Sequence, residues 1–170
     1  MKGWALGRQG IDPDRFKDMM SSVAATVTVV TWYAGDEPLG ITVSAFSSVS
    51  VVPPIVLVCI DKVSTSLEAI LAADGFTVNF LDDASSDVAV TFATKGADRF
   101  SAVGWSPPSI DGAGPVLDVA YGVFECVTIE RLEMGDHWVI FGRVDAGGRT
   151  DEVCSPLIYL ARQYVRTEPI

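Results

Sequence analysis

The chain has 170 residues and a mass of 18.1 kDa, the length of one domain, able to bury roughly 70% of its unfolded surface without disulfide or metal staples. Hydrophobic residues make up 49% and charged residues 20%, which excludes disorder, and the longest apolar run, Ile55 to Ile60, falls far short of the ~20 residues of a membrane helix. The formal net charge of −10 repels nucleic acid and anionic membranes, so an anionic ligand would have to be met by local donors.

The first element in chain order is a helix, with Asp12 as N-cap and Pro13 at the first helical position. Phe16, Met19, Met20 and Val23 follow at i, i+3, i+4 and i+7, an apolar stripe whose ordinary role is packing against a core. Residues 1–11 ahead of it are expected to be a loose segment of a single domain spanning 1–170. Thr26 to Tyr33 is rich in β-branched residues and reads as a strand. Ala34-Gly35-Asp36-Glu37-Pro38 supplies turn chemistry, and Leu39 to Ser44 returns as a hairpin partner. Ser47 to Val52 looks extended until Pro53-Pro54, and Ile55 to Ile60 has the continuous apolar character of a strand buried on both faces.

Thr65-Ser66-Leu67-Glu68 fits a capping box opening a helix that closes at Asp74-Gly75. Phe76 to Leu81 is a strand, and Asp83 or Ser85 caps a second helix through Val88, Ala89 and Phe92 to Lys95-Gly96. Residues 103–115, with glycines, prolines and Trp105, form an irregular loop. Tyr121 to Leu132 and Trp138 to Val144 are long strands joined at Met134-Gly135-Asp136-His137, and Leu157 to Leu160 is a last short one. Gaps this short leave no room for crossover helices, so the expected fold is mainly β: a closed or nearly closed antiparallel barrel with a few short peripheral helices.

Cys59, Cys126 and Cys154 are too scattered for a disulfide framework or a zinc site, and His137 is the only histidine, so no metal is expected. Met1 to Gln9 has no apolar core of a signal peptide; a reducing, cytoplasmic compartment is the expectation. The most unusual segment is Gly40-Ile41-Thr42-Val43-Ser44-Ala45-Phe46-Ser47-Ser48-Val49-Ser50, followed by Pro53-Pro54. It either satisfies its own backbone as a serine-rich loop or lines a flat polar ligand. Lys62, Thr65 and Ser66 stand where a helix begins, an anion-binding arrangement that an ordinary capped helix explains equally well. A Ser-His-Asp hydrolase using Asp136, His137 and one of the serines is disfavoured: adjacent Asp and His do not easily take the base–orienter geometry, and no nucleophile elbow is present.

The serine segment with Pro53-Pro54 resembles the signature of the flavin reductase-like family. Thr28-Val29-Val30-Thr31, Phe76-Thr77-Val78-Asn79-Phe80-Leu81, Asp98-Arg99-Phe100, Gly135-Asp136-His137, Gly142-Arg143-Val144 and Pro156-Leu157-Ile158-Tyr159 leading to Tyr164 recur in the same order, over roughly residues 15 to 165. The resemblance implies an FMN-binding split barrel (Greek-key, antiparallel), usually a homodimer, that reduces FMN or FAD with NADH or NADPH for a separate oxygenase. On the same resemblance Thr42, Val43, Ser44, Ser47, Ser48, Val49 and Ser50 would contact the isoalloxazine and ribityl chain. Lys62, Thr65, Ser66 and Arg99 would be phosphate candidates, with Phe100 beside them. Asn79 and Phe80 would lie near the cofactor, and His137 would be the catalytic residue facing the nicotinamide. Ala24-Ala25-Thr26-Val27 departs from the family's Thr-Gly-Val pattern, so contacts from that turn are not implied.

Two further expectations follow. The alternative to an enzyme is a non-catalytic flavin- or haem-binding barrel. In a homodimer, the N-terminal helix or the Trp105 loop would be buried at the interface.

Overall fold

A computed structural model describes residues 10–151 and 154–167; residues 1–9 of the expected N-terminal segment lie outside them. In chain order the elements are α1 (Pro13–Ser21), β1 (Ala25–Thr26), β2 (Thr28–Ala34), β3 (Glu37–Val43), β4 (Phe46–Val51), β5 (Pro54–Asp61), α2 (Leu67–Ala72) and β6 (Gly75–Leu81). A 3-10 turn (Asp83–Ser85) leads into α3 (Ser86–Ala93), followed by β7 (Trp105–Ser106), β8 (Val116–Leu117), β9 (Ala120–Met134), β10 (His137–Arg149), β11 (Ile158–Leu160) and β12 (Gln163–Val165).

Every strand pair is antiparallel, as the short connections require. Seven strands form one sheet in the order β3-β2-β6-β9-β10-β5-β4, and β1-β11-β12 form a second. The large sheet curls so that its edge strands β3 and β4 meet at the two-residue link Ser44-Ala45, where Ala45 O accepts the Cys59 N–H at 2.9 Å. The sheets are not closed by a ladder between β3 and β4, so the fold is a split barrel.

Two apolar clusters fill it. One centres on Trp32, Val58, Phe76, Val78 and Ile140; the other, under α3, on Val29, Leu81, Phe92 and Leu117. Asn79 joins them to the loop ahead of β8. Its amide donates to Val29 O, Thr31 Oγ1 and Pro115 O, and its Oδ1 accepts the Leu117 N–H at 2.8 Å. The loop before β8 is also clamped by Glu125, a buried carboxylate that accepts the backbone N–H groups of Ser109 and Ile110.

Several local expectations change. Asp12 does cap α1, accepting from Asp14 N and Arg15 N, but the apolar stripe does not pack on the barrel. Phe16, Met19, Met20 and Val23 are 54%, 56%, 49% and 53% exposed. The capping box does not form: α2 begins at Leu67 with Ser66, not Thr65, at the N-cap and no side-chain cap bond, and Ser64 Oγ accepts the Ser66 N–H. Neither Asp83 nor Ser85 caps α3; Ser85 Oγ donates to Asp82 Oδ1. β5 is buried on one face only, since its other face is not covered by a second layer. The 103–115 loop carries a small bridge, Trp105-Ser106 to Val116-Leu117.

Candidate functional site

The serine segment forms the seam of the barrel. The link Ser44-Ala45 and the whole of β4 flank it, and β4 pairs with β5 alone, leaving its outer row of N–H and C=O groups unpaired by another strand. Ser47 Oγ donates to Ser48 O, while the hydroxyls of Ser44, Ser48 and Ser50 make no bond to the described residues. The register shifts between Ser48 and Ser50, a bulge that places Val49 opposite no partner; Ser47, Ser48 and Val49 are exposed. The segment therefore does not satisfy itself, as a purely structural serine loop would. Val43 and Thr42 are less available: Val43 is core, and Thr42 Oγ1 donates to Ala89 O on α3.

Behind β4 stands an aromatic cluster. Phe46 meets Phe80 edge-on at 5.3 Å between ring centroids, and Phe80 meets Phe124 edge-on at 5.1 Å and Tyr121 at 6.1 Å. Phe80 thus joins the seam to the β6–β9 wall, and Tyr121 and Phe124 stand beside it, two rings that sequence reading did not single out. Their signal was alternation along β9, which a long strand shares with any core. Burial raises the Tyr121 phenol above its ordinary pKa of 10.0, so it stays a neutral donor. Asn79, by contrast, is wholly buried with its amide consumed by the core. It cannot touch a cofactor, and this expectation is corrected.

At the other end of β5, Lys62 reaches the β9–β10 hairpin. Its Nζ lies 2.6 Å from Glu133 Oε1 and 2.6 Å from Gly135 O, and its backbone N–H bonds to Asp136 O at 3.0 Å. His137 opens β10 opposite Asp61, with Nδ1 2.8 Å from Asp136 Oδ1. That contact holds the Asp136 carboxyl below its ordinary pKa of 3.8. Asp136 is then ionised at neutral pH and acts as acceptor, so Nδ1 carries the hydrogen and Nε2 is the ring's outward-acting nitrogen.

Arg99 and Phe100 lie on the α3 side of β3, away from β4. Arg99 spends Nη1 on Gly40 O and Nη2 on Thr94 O, and desolvation lowers its pKa from 12.5. The 360 Å³ groove beside it also contains Glu37 and Asp98, which oppose a phosphate. Phe100 packs edge-on between Phe92 and Trp105 at 5.2 and 5.9 Å and is a core ring. Thr65 is exposed and Ser66 half-buried at the start of α2, and neither hydroxyl bonds to a described residue. Among the described residues no three His, Cys, Asp or Glu side chains gather as metal ligands, and no helix is long and apolar enough to cross a membrane.

An antiparallel split barrel with free hydroxyls and an open strand edge at its seam suits a planar, polar-edged ligand over aromatic support. Residues 20–168 match the family model described as a flavin reductase like domain. The chain belongs to the flavin reductase-like family. It is 42% identical over 92% of its length to a flavin reductase (NADH) from Kitasatospora aureofaciens, covering 82% of that protein. It is 32% identical to the reductase subunit HsaB of a flavin-dependent monooxygenase from Mycobacterium tuberculosis, covering 94% of this chain and 84% of that one. Among solved structures it is similar to the NADH:FAD oxidoreductase SgcE6 of Streptomyces globisporus, in complex with NAD and FAD fragments. The TM-score is 0.86 at 29% identity, over 95% of this chain and 98% of that chain.

Proposed function

We propose that the chain is a flavin reductase that takes reducing equivalents from NADH, passes them to FMN or FAD, and releases the reduced flavin to a separate monooxygenase in the cytoplasm. The observation that carries this is the seam: free hydroxyls at Ser44, Ser48 and Ser50 on an unpaired strand edge, backed by Phe46 and Phe80. The oxygenase partner follows from relatives named as reductase subunits of monooxygenases. NADH follows from the relative named for it, and both relatives favour turnover over a passive binding role.

A bound flavin would supply the redox chemistry, as acceptor of a hydride from the nicotinamide and a proton from solvent. The residues of the chain bind and orient. The outer edge of β4 and the seam serines hold the polar edge of the ring and its side chain by hydrogen bonds. Thr65 and Ser66 are the phosphate donors, because Lys62 is committed to the β9–β10 hairpin. That commitment fixes the strand end bearing His137, whose Nε2 faces outward to orient the nicotinamide or hold a proton. Binding through hydrogen bonds and no covalent link lets a reduced flavin leave.

A homodimer is part of the same proposal. Among the described residues nothing covers the α1 stripe, and Val49, Val51 and Val52 add exposed apolar surface at β4 and the turn after it. A second copy over these faces would remove both exposures.

The test is steady-state turnover of the purified protein with NADH or NADPH and FMN or FAD, followed by loss of reduced-nicotinamide absorbance. NADH oxidation that requires added flavin, and falls at least tenfold in His137→Ala, is expected. No flavin-dependent oxidation in any pairing refutes the reading. Light scattering is expected to give a dimer, and Met20→Glu to shift it toward monomer.

A further inference from the structure

Three residues of the shared motifs turn their side chains away from the seam: Thr28 on β2, Thr42 on β3 and Arg99 after α3. Each donates to the main chain. Thr28 Oγ1 bonds Val43 O at 2.8 Å and Thr42 Oγ1 bonds Ala89 O at 2.6 Å. Arg99 bonds Gly40 O at 2.6 Å and Thr94 O at 3.1 Å. Its Nε is buried with no partner among the described residues, so that nitrogen is out of a ligand's reach.

The carbonyls they hold fall into two groups. Gly40 and Val43 belong to β3, whereas Ala89 lies in α3 and Thr94 is its C-cap. β3 is an end strand of the large sheet, bonded along one edge to β2, and such an edge frays unless something covers it. Here α3 is the cover. Thr42 and Arg99 tie strand to helix at two points, across 47 and 59 residues of sequence. Between them Gly40 lets the elements touch, since a Cβ there would lie 2.8 Å from Phe92 Cε1.

The choice of arginine carries the same meaning. Its bonds go to carbonyls and not to a carboxylate, so no ion pair offsets its desolvation. What the guanidinium provides is a rigid fork that spans two carbonyls on different elements. Ser44 follows Val43 directly, so whatever fixes residues 40–43 also fixes Ser44 at the seam.

We propose that Arg99 and Thr42 are positioning residues for the flavin: through α3 they hold β3 so that Ser44 meets the ring. The assignment rests on the flavin reductase reading. It differs from a phosphate role for Arg99, because an effect exerted through Ser44 reaches the ring whether or not the flavin carries a phosphate.

The experiment reads flavin affinity without turnover, by quenching of flavin fluorescence, for FMN and for riboflavin, which has no phosphate. Arg99→Ala and Thr42→Val are expected to weaken both ligands about tenfold, and Thr42→Ser, which restores the hydroxyl, to bind within threefold of the wild type. In a Ser44→Ala background Arg99→Ala should add less than twofold, because the group it positions is gone. Gly142→Ala, which disturbs the core beside Phe76 and Cys126, should keep both affinities within twofold. Loss of FMN affinity alone, full additivity with Ser44→Ala, or equal weakening in Thr42→Ser or Gly142→Ala overturns the proposal. Hydrogen exchange without ligand gives a second measurement. The Ser44 and Ala45 amides should exchange at least fivefold faster in Arg99→Ala and Thr42→Val, and those of β9 at the wild-type rate; unchanged exchange at Ser44 and Ala45 also overturns it. Wild-type protein that binds neither flavin refutes the reductase reading and with it the flavin half of this assignment, while the exchange rates still decide whether α3 holds Ser44.

Discussion

Lys62 and Glu133, 71 residues apart in sequence, are joined by a 2.6 Å contact that latches the end of β5 to the β9–β10 hairpin. The side chains are 34% and 59% exposed, so the ion pair contributes under about 1 kcal/mol to stability. Its consequence is positional: the hairpin presents Asp136 and His137.

Lys62→Met is therefore expected to move the urea midpoint little while lowering kcat several-fold. Glu133→Gln should have a smaller effect, because the Gly135 carbonyl still holds the lysine. In both variants the KM for FMN should stay within twofold. A selective rise in that KM in Lys62→Met would instead give the lysine a phosphate role.

Asn79 makes a different kind of prediction, since its amide is buried and fully bonded. Asn79→Ala strands the buried Leu117 N–H, which costs about 1–3 kcal/mol, and leaves a cavity in the core; the Pro115 carbonyl keeps the Thr31 hydroxyl. Chemical denaturation should show a loss of about 2–4 kcal/mol, while the folded fraction keeps its flavin KM. A large change in KM at unchanged stability would place the side chain at the cofactor after all.

Cys126 gives a pH signature. Burial, with Asp145 and Glu125 nearby, pushes its thiol from 9.0 up to about 12. The folded state thus favours the neutral thiol. That stabilisation is complete below pH 9 and is lost as pH rises from 9 toward 12, where the unfolded chain ionises first. The denaturation midpoint should fall more steeply between pH 9 and about 12 in the wild type than in Cys126→Ala. Alkylation of the native protein near neutral pH should spare Cys126.

Gly142 allows the core to be tested next to the proposed site without touching it. A Cβ there would lie 2.6 Å from Phe76 Cζ and 2.8 Å from Cys126 Cβ. Gly142→Ala is expected to cost about 1–3 kcal/mol through overpacking, read as a lower melting temperature. At Gly114 the obstacle is the Thr31 backbone, which cannot swing aside, so Gly114→Ala should fold poorly or not at all.

Much of this arrangement was legible in the sequence because it depends on local rules. Asp12 and Pro13 mark the start of α1 by capping chemistry, and β-branched runs separated by short gaps require an antiparallel barrel. What escaped depends on partners distant in the chain. Thr65-Ser66-Leu67-Glu68 has the letters of a capping box, but the helix starts one residue later, with Ser66 at its N-cap. The α1 stripe has helical period, yet period says that a face is apolar and not what covers it. Asn79 and Arg99 sit in motifs that suggest ligand contact, whereas tertiary packing turns their donors toward Pro115 and Gly40.

The seam at Ser44-Ala45 joins the first and last strands of a seven-stranded ribbon with no ladder between them. A ligand lodged there touches both ends of the ribbon at once, so filling the site and stiffening the barrel are one equilibrium. Amide hydrogens of β3 and β4 should exchange more slowly when flavin is present, and those of β6 and β9, deep in the ribbon, should scarcely respond. Departure of the reduced flavin then coincides with the ribbon regaining its looseness, and the release step is governed by how readily two strand edges part.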